Sequence, residues 1–368
     1  MHYLQQLIMK KTLTTLSLFF SIATFSQKIE NIIIITTDGF RWQEVFTGMD
    51  SSIANNAKYN QEDSATIFKK YWAETEMERR KKLMPFLWST IEKQGQIYGN
   101  RKYGNKVDVA NRYWFSYPGY NEIFTGYPDT LVNSNDYKPN PNTNMLDFVN
   151  KQPAYKNKVA VFGAWNAFHR IFNSEKTGLQ VVNAFDKLAN KKATPNEILL
   201  NNMLQDSYKP FGEAECLDVF THFAAKEYLQ QKKPKLLYIA YGETDEWAHE
   251  GHYRDYLNAA NQVDKWIYEL WNFIQNNPTY KNKTALFITT DHGRGDVVKT
   301  EWTSHNIKIL GANEIWFAVL GPTIIPKGEV KTNQQLYQKQ FAQTLTQLLN
   351  INFECEHPVA EKINLNEK

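Results

Sequence analysis

At 368 residues the chain can hold one large α/β domain or two smaller ones, and its 42% hydrophobic and 22% charged residues are those of an ordinary globular protein. A formal charge of +3 is small for this length and excludes a strong electrostatic preference for nucleic-acid duplexes or acidic membranes. The two cysteines, Cys216 and Cys355, fix no disulfide framework and cannot make a zinc site alone, so any metal must rest on histidines and carboxylates.

Taken in chain order, Met9-Lys10-Lys11 precedes an apolar run over 13–23, and small or polar residues follow at Thr24 and Ser26. A positive start, a short apolar stretch and a small residue at the cut describe a signal peptide over 1–26. The run is too short and too polar at its end for a stable membrane anchor. The expectation is a periplasmic or secreted protein whose residues 27–368 form one domain. Ile32-Ile33-Ile34-Ile35 then reads as a strand ending at Thr36-Thr37-Asp38-Gly39. The stretch 51–82 is charged and weakly apolar, and reads as an insertion or lid. Further apolar runs begin at Val159, Leu236, Leu286 and Ile315, each followed by a polar or Gly-bearing loop. Helices are expected over 216–230, 256–275 and 334–349. The alternation predicts an α/β fold: a doubly wound, mostly parallel central sheet with helices on both faces.

Ligands of open α/β sheets gather outside the carboxyl ends of the strands. Metal-capable residues stand at those ends here. Asp38 closes the first run, Asp245 and His249 follow the Leu236 run, and Asp291-His292-Gly293 follows the Leu286 run, with His305 shortly after. Alone, each is also what a turn, a cap or a surface i,i+4 pair looks like. Together they offer three carboxylates and three imidazoles on loops that the fold would bring together, a donor set suited to zinc. Ser116, in Phe115-Ser116-Tyr117-Pro118-Gly119-Tyr120, is placed like an N-cap, where hydroxyl and backbone N–H groups would face an anion. A metal can hold a serine as the alkoxide without a neighbouring general base.

These segments (Thr36-Thr37-Asp38-Gly39-Phe40-Arg41, Ser116-Tyr117-Pro118-Gly119-Tyr120, Asp245 to His249, Thr290-Asp291-His292-Gly293 and His305) resemble the alkaline phosphatase superfamily. The similarity is greatest to its type I phosphodiesterase/nucleotide pyrophosphatase branch. The resemblance implies two divalent metal ions, most often Zn2+. One would be held by Asp38, Asp291, His292 and Ser116, the other by Asp245, His249 and His305. It also implies a covalent phosphoserine at Ser116 and a small-molecule phosphate ester as substrate. The chain departs from the branch in having Ser116 for Thr and Gly119 for Asn. An Asn some twenty residues beyond the nucleophile often binds a phosphoryl oxygen in the branch; Asn133 and Asn135 stand there, and Asn135 is the one carried forward.

Arg41, Arg170 and Arg294 are the cations that would meet the extra charge of a monoester. Tyr117, Trp165 and Phe168 are candidates for stacking on a leaving group. The alternatives are a sulfatase or phosphotransferase of the same superfamily, or a non-catalytic binding protein on this scaffold. Against the sulfatase, Tyr120 stands where an S-x-P-x-R motif needs Arg.

Overall fold

The computed structural model describes residues 28–188 and 192–366, so the signal peptide expected over 1–26 lies outside the described residues. In chain order the strands are β1 (Asn31–Thr37), β2 (Gly95–Tyr98), β3 (Asn105–Asp108), β4 (Val159–Gly163), β5 (Gln180–Asn183), β6 (Leu236–Tyr241), β7 (Thr284–Thr289), β8 (Glu314–Ile315), β9 (Phe317–Leu320), β10 (Gly328–Glu329) and β11 (Gln334–Tyr337). An 8-stranded sheet runs β10-β2-β9-β7-β1-β6-β4-β5, and a 3-stranded sheet runs β11-β3-β8.

The four isoleucines of β1 show why this sheet must be covered on both sides. Side chains alternate across a strand, so a continuous apolar run needs a core on each face. Ile33 and Ile35 enter one core with Leu257, Val263, Ile267 and Leu270 of the helix Tyr253–Asn276. Ile32 and Ile34 enter the other, with Ile123 and Phe124 of the helix Ser116–Thr125 and Leu345 of the helix Phe341–Leu348. Burying each such side chain contributes about 1.5–3 kcal/mol. The expected α/β architecture, with helices on both faces, is what the chain adopts.

Parallel pairing holds for β7-β1-β6-β4-β5. It fails at β9, which runs antiparallel to both β7 and β2. The apolar run from Ile315 to Val319 is also two strands rather than one. Ile315 pairs with Val107 in the small sheet, whereas Phe317 pairs with Thr289 in the large one. Trp316 makes the transfer: its carbonyl accepts from the Thr289 hydroxyl at 2.7 Å, and its indole N–H donates to the Phe40 carbonyl at 3.0 Å. The helix expected over 334–349 begins only at Phe341, because 334–337 pairs with β3 instead. Apolar spacing at helical intervals starts with Phe341 and Ala342, and a strand partner decides the residues before it. The helices Asp218–Lys232 and Tyr253–Asn276 fall close to the expected 216–230 and 256–275.

The stretch 51–82 carries the short helices Ser51–Ala54 and Ser64–Tyr71 and most of Glu76–Leu83. Ile53, Tyr59, Ile67 and Tyr71 join the same core as Ile33. Cys216 and Cys355 are both free thiols. No helix among the described residues is long and apolar enough to cross a membrane.

Every residue of the helix Ser116–Thr125 is buried, and Glu122 pins it. Its carboxylate accepts from the backbone N–H groups of Ala110, Asn111 and Lys339 and from the Asn111 amide, at 2.7–3.0 Å. Burial pushes this carboxyl up to about 7, opposed by those donors. Glu122→Gln turns an NH2 towards groups that can only donate. It is expected to lower unfolding stability by about 2–3 kcal/mol, read as a fall in the urea midpoint; an unchanged midpoint would contradict the pinning role.

Candidate active site

The central strands β6, β1 and β7 lie side by side, so the residues just past their carboxyl ends meet. Asp38 follows β1, and Asp291 and His292 follow β7. Asp245 and His249 stand one helical turn apart on the helix Glu243–His249, which opens just after β6. His305 arrives on the loop beyond the 3₁₀ turn Lys299–Thr303.

Two groups of donor atoms form, each with every atom within 4.8 Å of the others: Asp38, Asp291 and His292, and Asp245, His292 and His305. His292 lies between them. Its Nε2 is 3.2 Å from Asp38, 3.6 Å from Asp291 and 3.7 Å from Asp245. His249 Nε2 is 3.0 Å from Asp245 Oδ2 and 3.0 Å from His305 Nε2. Ser116 Oγ lies 3.4 Å from His292 Nε2. The structure therefore brings together all seven residues marked from sequence as the nucleophile and metal ligands.

Each ligand candidate is oriented by something behind it. Asp38 accepts from the Tyr120 hydroxyl on Oδ2 at 2.9 Å, and Asp291 accepts from the Gly39 N–H on Oδ1 at 3.1 Å. The opposite oxygens, Asp38 Oδ1 and Asp291 Oδ2, are buried with no hydrogen-bond partner. His292 Nδ1 donates to the Gly293 carbonyl at 2.9 Å, and His305 Nδ1 donates to the Trp114 carbonyl at 3.4 Å. That arrangement leaves the Nε2 lone pair of each ring turned inward, as metal-binding histidines require. Orphaned carboxylate oxygens converging with imidazole lone pairs fit divalent cations of the zinc type.

The electrostatics show the same strain. Burial, and then the neighbouring Asp38, hold Asp291 well above the ordinary carboxyl value. Burial disfavours a charged His292, yet Asp291, Asp38 and Asp245 outweigh it and raise the imidazole to about 9. Burial, with His292 next to it, pushes His305 well below its usual value. Burial also works against the Asp245 carboxylate, but Arg294, His249 and His305 prevail and pull it well down.

Ser116 is not the N-cap expected from sequence. Phe115 caps the helix, in extended conformation, and Ser116 is its first residue. The left-handed Trp114 (φ 54°), held by the Asn111 side chain, turns the chain into that cap. The Tyr117 N–H does not face an incoming anion either: it donates to Asn135 Oδ1 at 3.0 Å. That bond places the Asn135 side chain against the first turn of the serine helix, whereas Asn133 is exposed. Gly119 is required because a Cβ there would stand 2.5 Å from the Asp291 carbonyl oxygen. Its smallness sets how closely the serine helix approaches β7.

The other substrate-binding candidates are placed differently. Tyr117 is fully buried, with its hydroxyl on the Lys138 carbonyl, and Phe168 is a core residue. Both are wall, not platform. Trp165 is half-buried, edge-on to Phe168. Arg41 is buried in an ion pair with Glu44, and Arg294 in one with Asp245. Arg170 donates to the Tyr137 carbonyl at 2.7 Å and lies over the Tyr117 ring. Sequence reasoning missed Tyr120, although its i,i+4 spacing from Ser116 puts both on one helix face. It also missed Gln338, whose amide donates to the Asp291 carbonyl at 2.7 Å and which no local signal marks.

The sequence profile of the family described as "Type I phosphodiesterase / nucleotide pyrophosphatase" matches residues 45–338. Among solved structures, the wild-type alkaline phosphatase PafA aligns with a TM-score of 0.57 at 10% identity, covering 89% of this chain and 96% of that one. The lipoteichoic acid synthase LtaP from Listeria monocytogenes aligns at 0.56 and 12%, covering 89% and 73%. A putative sulfatase from Bacteroides thetaiotaomicron aligns at 0.55 and 13%, covering 89% and 72%. At these identities the likeness is one of fold. A comparison with curated protein sequences gives no match.

If the paired groups hold cations, zinc added to chelator-stripped protein stabilises it by about 2.7 kcal/mol at a hundredfold excess over Kd. The expected observation is a rise in melting temperature that shrinks in Asp291→Ala. A melting temperature indifferent to zinc would count against a metal centre.

Proposed function

The chain belongs to the type I phosphodiesterase/nucleotide pyrophosphatase family of alkaline phosphatase superfamily hydrolases, and on that premise we propose that it is an exported two-metal phosphodiesterase working through a covalent phosphoserine at Ser116. The observation that carries this reading is the position of Ser116 Oγ, 3.4 Å from the imidazole nitrogen that both carboxylate–histidine groups share. Asp38, Asp291, His292 and Ser116 would hold one ion and Asp245, His249 and His305 the other. When bound, the ions supply the Lewis-acid charge that favours an ionised serine and a departing oxygen.

The chain's own residues do the rest. Ser116 Oγ gives up its proton to solvent and attacks phosphorus, the bond from phosphorus to the leaving oxygen breaks, and that oxygen takes a proton from solvent. Water then cleaves the phosphoserine ester, and the serine hydroxyl is regenerated. The Asn135 amide, held by the Tyr117 N–H, donates to a non-bridging oxygen. Asp38 keeps its orientation through the Tyr120 hydroxyl and through Thr244, which donates to the Asp38 carbonyl at 2.6 Å.

Substrate charge favours the diester. A monoester brings a further negative charge, for which Arg or Lys is the usual partner. Arg41 and Arg294 are fully buried and already paired with Glu44 and Asp245, and Arg170 is turned to Tyr137. The neutral Asn135, bonded to the N–H of the residue after the nucleophile, is the polar side chain there instead. Tyr120, where a sulfatase motif carries Arg, is committed to Asp38. Residues 27–368 are proposed as a single catalytic domain, exported by the leader at 1–26.

Two outcomes are expected from an aryl phosphate diester, an aryl phosphate monoester and an aryl sulfate offered to zinc-loaded protein. The diester should have the highest kcat/KM, and Ser116→Ala should lose turnover by about a thousandfold or more while retaining both metal equivalents. A monoester preference would overturn the diester assignment, and an active Ser116→Ala would overturn the phosphoserine. Asn135→Ala should cost about 10–1,000-fold in kcat/KM; unchanged kinetics would remove Asn135 from the site.

A further inference from the structure

We infer that Arg294 is a positioning residue for the metal centre, fixing the orientation of the Asp245 carboxylate towards the histidines; the inference rests on the two-metal reading above. Arg294 follows directly on Asp291-His292-Gly293, and its side chain is fully buried. One terminal nitrogen donates to both the Asp245 carbonyl oxygen, at 3.0 Å, and the Asp245 Oδ1. The other carboxylate oxygen, Oδ2, faces His249 Nε2 at 3.0 Å. Oδ1, which Arg294 holds, lies 3.7 Å from both His292 Nε2 and His305 Nε2, so the guanidinium fixes how the whole carboxylate faces the three histidines.

The pair is built against a third element. Gly39 is left-handed (φ +55°), and a Cβ there would stand 2.6 Å from Asp245 Oδ1, 2.9 Å from Arg294 Nε and 2.9 Å from His292 Cε1. A side chain at position 39 would fill the space that the ion pair occupies. Loops from β1, β6 and β7 therefore close on one guanidinium–carboxylate contact, and they are the three loops that carry Asp38, Asp245 and Asp291. Arg294 Nε and Nη1 are buried without partners. Such a desolvated charge is costly where it serves only as a strut. Its counterpart is the excess of buried carboxylates: Asp38 and Asp291 have no arginine or lysine partner among the ion pairs of the described residues. A permanent cation that cannot be deprotonated offsets one of the three negative charges whether or not a metal is bound.

Groups behind metal ligands typically alter affinity by about 10–100-fold when removed. The test uses Co2+, whose visible absorption reports coordination number, on full-length metal-free wild type, Arg294→Met and Arg294→Lys. Circular dichroism and the metal-free melting temperature are recorded for each. The wild type should bind two equivalents. In Arg294→Met one of the two should be held roughly 10–100-fold more weakly in chelator competition. The spectrum per bound cobalt should also change, as the Asp245 carboxylate loses its fixed orientation. Arg294→Lys, which keeps the charge, should recover most of both properties. An Arg294→Met protein with wild-type affinity and spectrum would overturn the inference. So would a loss of affinity that Lys does not rescue and that matches the fall in metal-free melting temperature, since that is the behaviour of a strut. A wild type that binds no cobalt would overturn the two-metal reading itself, and the control separates that failure from the others.

Discussion

Three aspartates whose side chains are almost wholly removed from solvent meet at the ends of adjacent central strands, and this crowding of like charge is the constraint on which the site depends. Isolated ionised carboxylates are expensive to bury unless paired or coordinated. The protein meets the cost unevenly. Tyr120 and the Gly39 N–H each satisfy one oxygen, of Asp38 and Asp291, and leave the other bare. Asp245 alone receives a full cation, Arg294. The imidazole of His292, facing all three, is drawn up to about 9. These are the marks of an arrangement shaped for more positive charge than its own side chains supply, and they motivate the proposal of bound divalent ions.

The sheet makes this crowding possible. Because β6, β1 and β7 are neighbours and parallel, their carboxyl ends face the same way, and residues 38, 245 and 291 become close although some two hundred positions separate the first from the second. The serine helix is fitted to that edge by two features. Glu122 gathers three N–H groups from two chain segments, and Gly119 lets the helix come up against the Asp291 carbonyl. A larger residue at 119 would displace Ser116 from His292. The Gly119 that separates this chain from its branch's usual Asn is thus part of the packing that places the serine, and an amide is available from Asn135 across the helix N-terminus.

The surroundings of the serine argue for selectivity through charge. Two of the three arginines marked from sequence are sealed inside ion pairs, and the third turns to a backbone carbonyl. What remains beside Ser116 is a neutral amide and a half-buried aromatic run, Tyr113-Trp114-Phe115. Structures sharing this fold include a phosphatase, a lipoteichoic acid synthase and a putative sulfatase, so the scaffold alone does not choose a chemistry. In the reading proposed here, the sealing of Arg41 and Arg294 in ion pairs makes the choice.

By itself the sequence determined what local pattern can express. Unbroken β-branched runs require strands covered on both faces, and Asp and His just past those runs fall at the ligand-binding edge of such a sheet. β1, β4, β6 and β7, and the meeting of Asp38, Asp245, His249, Asp291 and His292 at one edge, were legible for that reason. Other features were decided by partners distant in sequence, which periodicity does not record. Residues 334–337 became a strand because β3 was free to pair with them, and the Ile315 run broke at Trp316 because its two ends belong to different sheets. The fates of Arg41 and Arg294 were likewise open in sequence, since an arginine looks the same whether it will meet a phosphate or a buried carboxylate. Tertiary packing chose the carboxylates, because a guanidinium sealed from water needs its counter-ion in contact.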